Sequence, residues 1–158
     1  MSIREWDPAS DRAAVRACFV ELQDFERQIE PGIPPGAEIA DAYLDSMLSR
    51  CREFEGVVLV AEEAGAVVGF LTLWTRFRSS EPDDDPSEHG FVSDLVVSAP
   101  HRRRGIGRSL LNAAQARARE AGARVVRLSV KAGNAGARSL YEAEGFAARE
   151  ICLEKRLD

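Results

Sequence analysis

The chain has 158 residues, of which 45% are hydrophobic and 30% are charged, and its formal net charge at pH 7 is -5. This composition is typical of one globular domain with a sizeable core, and no apolar run approaches the ~18 to 20 residues that a membrane span requires. The negative balance argues against a nucleic-acid partner, which needs a broad basic surface. We expect a single domain over residues 1–158 without a cleaved leader, because residues 1–7 lack an apolar signal core.

The first third of the chain predicts one strand, over residues 1–7, and two helices. Behind Asp11, a candidate helix cap, apolar residues recur at helical spacing: Val15, Cys18, Phe19, Leu22 and Phe25. The Pro- and Gly-rich segment 31–36 ends this first helix. The second helix has an inner face formed by Ile39, Tyr43, Met47 and Cys51.

The rest of the chain alternates strands and helices. The predicted elements are a hairpin of strands 57–62 and 66–74, a strand 91–97, a helix from Ile106 to Gly122, a strand 124–130, a helix between Asn134 and Gly145, and a last strand 146–157. The whole order is β-α-α-β-β-β-α-β-α-β, without an internal repeat or linker. This order predicts an α/β fold in one domain.

The cysteines and histidines are few and scattered. Cys18, Cys51 and Cys152 lie among apolar residues, which predicts buried, reduced thiols in a cytoplasmic protein. His89 and His101 are isolated, and no pair of these residue types has the spacing of metal ligands. We therefore predict no metal site.

A basic turn, residues 102–108 with the sequence RRRGIGR, joins the strand that ends at Val97 to the helix that begins at Ile106. Gly105 and Gly107 lack the Cβ atoms that would hold a ligand away from the backbone, and the first amide hydrogens of the helix point outward at its positive end. Four arginines concentrate positive charge there, which suits a diphosphate better than a lone carboxylate. The spacing matches neither a Rossmann fingerprint nor a P-loop.

Two motifs occur in a recognisable order. The basic turn, Arg-x-x-Gly-x-Gly after Val-x-x-Pro, resembles the acyl-CoA pyrophosphate loop of the GNAT N-acetyltransferase superfamily. Residues 134–146, NAGARSLYEAEGF, resemble the Asn-x-x-Ala-x-x-Leu-Tyr-x-x-x-Gly-Phe helix of the same superfamily. The resemblance covers residues 57–157 and extends to the first 56 residues only through the order of predicted elements.

The resemblance implies the GNAT fold, a mixed β-sheet with helices on both faces whose central parallel strands splay apart, and it implies acetyl-CoA as co-substrate. The backbones of Leu95, Val96 and Val97 would pair with the pantetheine arm as an added strand would. Asn134 would contact the same arm or serve only as a helix cap. The residues implied at the pyrophosphate are Arg102, Arg103, Arg104, Gly105, Ile106, Gly107, Arg108 and Ser109.

Tyr141 is the residue that the resemblance assigns to proton chemistry. In the family, a tyrosine at this position lies near the thioester sulfur and protonates the departing thiolate of CoA. The alternative is that Tyr141 packs in the core beside Leu140, with its hydroxyl bonded elsewhere. With the motif present, we predict that Tyr141 is the general acid.

The general base is left open by the sequence. Family members often carry a strand glutamate, but the corresponding positions here are Phe91, Ser93 and Ser129. Asp94 is the nearest carboxylate, and it either takes the proton or satisfies local backbone groups at a strand distortion. Glu88 and His89, at the entrance of the strand, are alternative proton acceptors, directly or through water.

These features imply an enzyme that transfers the acetyl group of acetyl-CoA to a primary amine of a small molecule or peptide. Because neither motif contains a cysteine, we expect direct attack of the amine on the thioester without a covalent acyl-enzyme. The missing strand glutamate keeps a second hypothesis open, a non-catalytic module that binds acetyl-CoA as a sensor or binds a protein partner. A third, acetylation of aminoacyl-tRNA, is disfavoured by the acidic balance.

An acidic segment precedes the strand that leads into the basic turn. Its carboxylates are Glu81, Asp83, Asp84, Asp85 and Glu88. Such runs are usually solvated surface loops, and the functional alternative is a lip that attracts a cationic acceptor. The sequence leaves the choice between monomer and homodimer open.

Overall fold

The structure is a computed structural model that describes residues 1–157. Within these residues, the chain forms five strands and four α-helices. They are β1 (Ser2–Glu5), α1 (Arg12–Ile29), α2 (Gly36–Glu53), β2 (Val57–Glu63), β3 (Ala66–Phe77), β4 (His89–Val97), α3 (Ile106–Glu120), β5 (Val126–Leu128) and α4 (Ala135–Ala143), with a 3₁₀ turn (Ala99–His101) between β4 and α3. No helix in this part of the chain has both the length and the hydropathy to cross a bilayer.

All five strands form one sheet in the order β1-β2-β3-β4-β5. The first three pairings are antiparallel, and β4 pairs with β5 in parallel. The predicted α/β class with a mixed sheet and splayed parallel strands is therefore confirmed. The parallel pair lies at one edge of the sheet, and it positions the candidate site.

The helices divide between the two faces of the sheet because side chains alternate along β2 and β3. One face packs against α1 and α2, with a core that includes Val15, Phe19, Leu44, Val60 and Phe70. The other face packs against α3 and α4, with a core that includes Leu59, Leu71, Leu110, Leu111 and Tyr141. Burial of each large aliphatic side chain contributes about 1.5 to 3 kcal/mol, so both layers stabilise the sheet.

Asp11 does not cap α1 with its side chain, contrary to the sequence prediction. Asp11 is the residue directly before the helix. Its backbone is already helical, and its side chain makes no hydrogen bond to the first turn. Its carboxylate instead accepts hydrogen bonds from the Arg4 guanidinium at 2.6 and 3.0 Å and from the backbone N–H of Asp7 at 2.7 Å. The buried carboxylate therefore ties β1 to α1, and Arg4 lowers the pKa of Asp11 below its ordinary 3.8.

Asp11→Ala is expected to lower the free energy of unfolding at pH 7 by about 1 to 2 kcal/mol, because a charge-assisted pair with a partly exposed arginine is lost. Since the pKa of Asp11 is lowered by folding, its contribution is present above the unfolded pKa and is lost as the pH falls through the folded value. Urea unfolding from pH 7 to pH 3 measures this. Asp45→Ala, which removes an exposed partner of Arg12, should lower the free energy of unfolding by less. Equal losses in the two variants would contradict the role given to the Asp11 carboxylate.

The predicted last strand, residues 146–157, is wrong. Residues 147–157 form no strand in the structure, and Ile151, Leu153 and Leu157 are exposed to solvent by 76%, 87% and 90%. The alternating pattern is that of a strand, but a strand needs a partner. The neighbouring β5 is only three residues long, shorter than the predicted 124–130, and offers little edge to pair with.

The prediction of three buried thiols holds for Cys18 but not for Cys152. Cys18 is buried and Cys51 half-buried, and burial raises the pKa of each thiol to about 11. Cys152 is exposed because the segment that carries it does not pack against the sheet.

Candidate functional site

Within the part of the chain that the structure describes, the parallel pairing ends partway along β4, and the rest of that strand continues without a neighbour on this side. In the pairing of β3 with β4, Thr72 is opposite Asp94 and Leu73 is opposite Val92, so Ser93 is an extra residue in β4 and forms a bulge. Pairing of β4 with β5 ends at Val92, opposite Leu128. Among residues 1–157, no strand therefore pairs with the β5 side of Leu95, Val96 and Val97, the residues predicted to bind the pantetheine arm.

The basic turn leads from this free edge into α3. Arg103 and Gly105 have positive φ angles of 62° and 81°, which turn the backbone sharply before the helix. The Ser109 N–H donates to the Gly105 carbonyl at 3.0 Å, so the amides of residues 106–108 precede the first intrahelical bond. Within the described chain, these three N–H groups have no backbone acceptor, as an anion site requires.

Gly107 also has a packing role. A Cβ atom there would lie 3.2 Å from Cδ2 of Leu140 and 3.8 Å from Cγ2 of Val97. The absence of a side chain thus lets the start of α3 approach α4 and the end of β4. Replacement of Gly107 by a larger residue would disturb this packing as well as any ligand, so it is a poor test of the site.

Three of the four arginines in the basic turn are held by glutamates from other elements: Arg102 by Glu21 at 2.6 Å, Arg104 by Glu63 at 2.7 Å, and Arg108 by Glu144 at 2.5 Å. Arg102 also donates to the Val97 carbonyl at 2.8 Å. The remaining one, Arg103, has no ion pair or hydrogen bond within residues 1–157. Glutamates of the surrounding elements therefore hold three side chains of the turn in place, and Arg103 is left as the one arginine of the turn without a partner within residues 1–157.

Tyr141 is buried in the core between the sheet and α3, with 9% of its surface exposed. Its ring meets Phe146 edge to face at 5.9 Å between centroids, and its hydroxyl has no hydrogen-bond partner in the described part of the chain. Burial, with smaller contributions from the charges of Glu26 and Asp94, raises the pKa of Tyr141 to about 12. The phenol is therefore protonated at neutral pH, as a proton donor must be.

Asn134 precedes α4 and caps it. Its side-chain oxygen accepts a hydrogen bond from the backbone N–H of Ala137 at 3.1 Å. This bond fixes the start of the helix that carries Tyr141. Contact of Asn134 with a pantetheine arm stays a prediction.

Asp94 is buried and its two carboxylate oxygens are both occupied. Tyr43 donates to one oxygen at 2.5 Å, and Ser93 donates to the other at 2.6 Å. Burial raises the pKa of Asp94, and the Tyr43 ring stacks on Phe19 at 4.0 Å between centroids. This arrangement links β4 to α1 and α2 and leaves Asp94 poorly placed to take a proton from an incoming amine.

Glu88 and His89 lie at the start of β4, the end opposite the basic turn. Glu88 pairs with Arg76 at 2.8 Å on the surface. His89 is buried, with Nδ1 3.1 Å from the Ser87 carbonyl oxygen. An open cleft of about 930 Å³ extends along β5 and is lined by His89 and Tyr141 among others. His89 thus stays a candidate base in the lining of this cleft, and Glu88 stays one only as its neighbour in sequence.

The acidic segment is largely paired in the structure. Asp84 contacts Arg149 at 2.9 Å and Asp85 contacts Arg127 at 3.2 Å, and Glu88 has the arginine partner described above. These pairs reduce the field that the segment would present to a cationic acceptor. Attraction of the acceptor by this segment stays a hypothesis.

Glu26 was missed by the sequence analysis. It lies on α1 four residues after Leu22 and seven after Phe19, which places it on the same inner face. A carboxylate inside an apolar helical stripe is the signal that could have revealed it. Its charge contributes to the raised pKa of Tyr141.

A mixed sheet that splays beside a basic helix N-terminus, with a buried tyrosine on the next helix, defines the architecture of an acetyltransferase. The model of the acetyltransferase (GNAT) family matches residues 16–146. The chain belongs to this family, and it is an enzyme of the N-acetyltransferase class.

Several known proteins resemble the chain. It is 34% identical over 146 residues to the uncharacterized N-acetyltransferase YhfO of Bacillus subtilis, a match that covers 92% of this chain and 89% of that protein. It is 35% identical over 123 residues to the mycothiol acetyltransferase of Kineococcus radiotolerans, covering 76% of this chain but only 37% of that relative. The structure of aminoglycoside N-acetyltransferase AAC(6')-Iy in complex with CoA superposes with a TM-score of 0.66 at 21% identity, over 98% of this chain and 99% of that chain. The last similarity shows the shared fold.

Proposed function

We propose that the chain transfers the acetyl group of acetyl-CoA to a primary amine, by direct attack of the amine on the thioester and with Tyr141 as general acid. The observation that carries the proposal is the coincidence of three unsatisfied features at one gap in the sheet. They are the free edge of β4, the unpaired amides and guanidinium of the basic turn, and the unpaired hydroxyl of Tyr141.

The residues present fit acetyl-CoA. The backbone of residues 95–97 would pair with the amide-containing pantetheine arm, and Asn134 would contact that arm from the start of α4. Residues 102–109 would hold the pyrophosphate, with the helix amides and the Arg103 guanidinium as donors and the other arginines as nearby positive charge. When bound, acetyl-CoA supplies the activated acyl group.

The side chains around the gap divide the chemistry between them. The amine nitrogen forms a bond to the thioester carbonyl carbon, and the bond from that carbon to sulfur breaks. Tyr141 donates its proton to the departing sulfur. Because its pKa is raised, the phenol still carries this proton at neutral pH. No step requires a covalent acyl-enzyme.

The acceptor is proposed to be a primary amine of a small molecule or peptide, with a cationic amine favoured. Relatives by sequence or fold include a mycothiol acetyltransferase and an aminoglycoside acetyltransferase, which supports amines of this general kind. A cytoplasmic location remains a prediction, and the choice between monomer and homodimer stays open.

Release of CoA thiol tests the proposal. The purified chain is mixed with acetyl-CoA and separate panels of simple amines, amino acids, aminoglycosides and peptides with free N-termini, and acetylated products are identified by mass. We expect amine-dependent thiol release with at least one panel member. Binding of acetyl-CoA without transfer to any amine would instead favour the non-catalytic binding module, and absence of binding would overturn the site.

A further inference from the structure

Glu26 lies where an apolar side chain is expected. The inner face of α1 carries Phe19 and Leu22, which pack against the core on this side of the sheet, and Ile29, one turn beyond Glu26. Ile29 is close to the loop after β5, since its Cγ2 would be 2.7 Å from a Cβ atom placed on Gly133. The neighbours of Glu26 on this face, one turn before it and one turn after it, therefore both pack against the rest of the protein. Glu26 itself is half-buried.

The surroundings of Glu26 belong to the site already described. On one side, Phe19 stacks on Tyr43, whose hydroxyl donates to Asp94. On the other side, the loop at Gly133 leads into α4, which carries Tyr141. The charges of Glu30, Asp94 and Lys131 act on the pKa of Glu26, and the charge of Glu26 acts in turn on the pKa values of Tyr43 and Tyr141.

Glu26 has no cation of its own. Five residues earlier on α1, Glu21 accepts from Arg102 at 2.6 Å and from the Ala99 N–H at 2.7 Å. One turn later, Glu30 is paired with Lys131. Within residues 1–157, the carboxylate of Glu26 makes neither a hydrogen bond nor an ion pair.

A half-buried carboxylate without a partner is costly unless a cation or donor reaches it. Burial raises the pKa of Glu26, with the charge of Lys131 acting in the opposite direction, and a raised value favours proton transfer near neutral pH. The oxygens of Asp94 are taken by Tyr43 and Ser93. Of these carboxylates, Glu26 is the one with free oxygens, and it lies on α1 between Phe19, whose ring stacks on Tyr43, and Ile29, which is close to the loop that leads into α4.

We infer that Glu26 receives the ammonium group of the acceptor and takes its proton, an inference that rests on the proposed function. Two protons leave the nitrogen in the whole reaction. One passes through Glu26 to solvent, and the other replaces the proton that Tyr141 gives to the sulfur. The acceptor is then a primary amine that is cationic in solution, and its charge is recognised at α1, not at the acidic segment.

The test compares a cationic with a neutral amine. Butylamine and the fastest acceptor of the panel are the cationic probes, and hydroxylamine is the neutral one, because it needs no deprotonation at neutral pH. Glu26→Gln is expected to lower kcat/KM for the cationic probes by ~10²-fold while hydroxylamine changes by less than about threefold. Glu26→Asp should retain part of the activity.

Glu53→Gln is the matched control, since it makes the same change at an exposed carboxylate at the end of α2, and its kcat/KM should remain within about threefold of wild type. Acetyl-CoA affinity, measured by calorimetry, should be the same in all three variants. Equal losses for cationic and neutral amines in Glu26→Gln and Glu26→Asp, or no loss for the cationic probes, would overturn the inference. If the wild-type chain acetylates no amine at all, the proposed function itself fails.

Discussion

Tyr141→Phe is expected to lower kcat by about 10²-fold or more while leaving acetyl-CoA affinity close to that of wild type. The ring would still pack against Phe146, so only the proton donor is removed. Because the pKa of Tyr141 is raised to about 12, the wild-type rate should not fall through deprotonation of this phenol in the mildly alkaline range. Steady-state thiol release and calorimetric titration measure the two quantities separately.

Tyr43→Phe is the matched control, because Tyr43 is the other tyrosine of the chain and is half-buried. Its hydroxyl is already engaged, because it donates to Asp94 at 2.5 Å. We expect this variant to lose stability, through a hydrogen bond to a buried carboxylate, and to lose less than about tenfold in kcat. Unchanged turnover in Tyr141→Phe would mean that water or another group protonates the thiolate.

Arg103→Ala is expected to weaken acetyl-CoA binding by roughly 10- to 100-fold, the equivalent of one charge-assisted hydrogen bond to a phosphate. Arg103 is the suitable target because it has no ion pair within the described residues, so its removal leaves no glutamate uncompensated. Arg104→Ala, in contrast, would release Glu63 from its pair at 2.7 Å and mix two effects.

Arg119→Ala supplies the control for net charge. Arg119 lies in the last turn of α3, at the opposite end of the helix that begins at the basic turn. Calorimetric titration at two ionic strengths should show a loss for Arg103→Ala and none for Arg119→Ala. The same affinity in both variants would remove Arg103 from the binding site.

Features encoded by contiguous residues were predictable. The apolar periodicity of α1 and α3 gave their approximate limits, and the basic turn was visible because its arginines and glycines are adjacent in sequence. The ion pairs that hold the arginines of this turn could not be predicted from the sequence. The glutamates that hold Arg102, Arg104 and Arg108 come from α1, the end of β2 and the end of α4, and only the fold brings them together.

The failures share a cause, which is the dependence of local structure on distant partners. Ile151 and Leu153 alternate as in a strand, but the edge available to them is too short for pairing. Asp11 has the sequence of a cap but binds Arg4 of β1. Glu26 was overlooked because its surroundings depend on the packing of α1 against β4 and against the loop before α4.

The short pairing between β4 and β5 also has a consequence for local unfolding of the C-terminal part of the chain. Only three residue pairs join β5 to β4, and the helix after β5 adds Tyr141 to the core that the sheet shares with α3. Such a weakly joined segment is expected to unfold locally before the rest of the chain and to exchange its amide hydrogens faster. A ligand that pairs with β4 and contacts α4 would suppress this opening, so cosubstrate binding and order in the C-terminal third would be coupled.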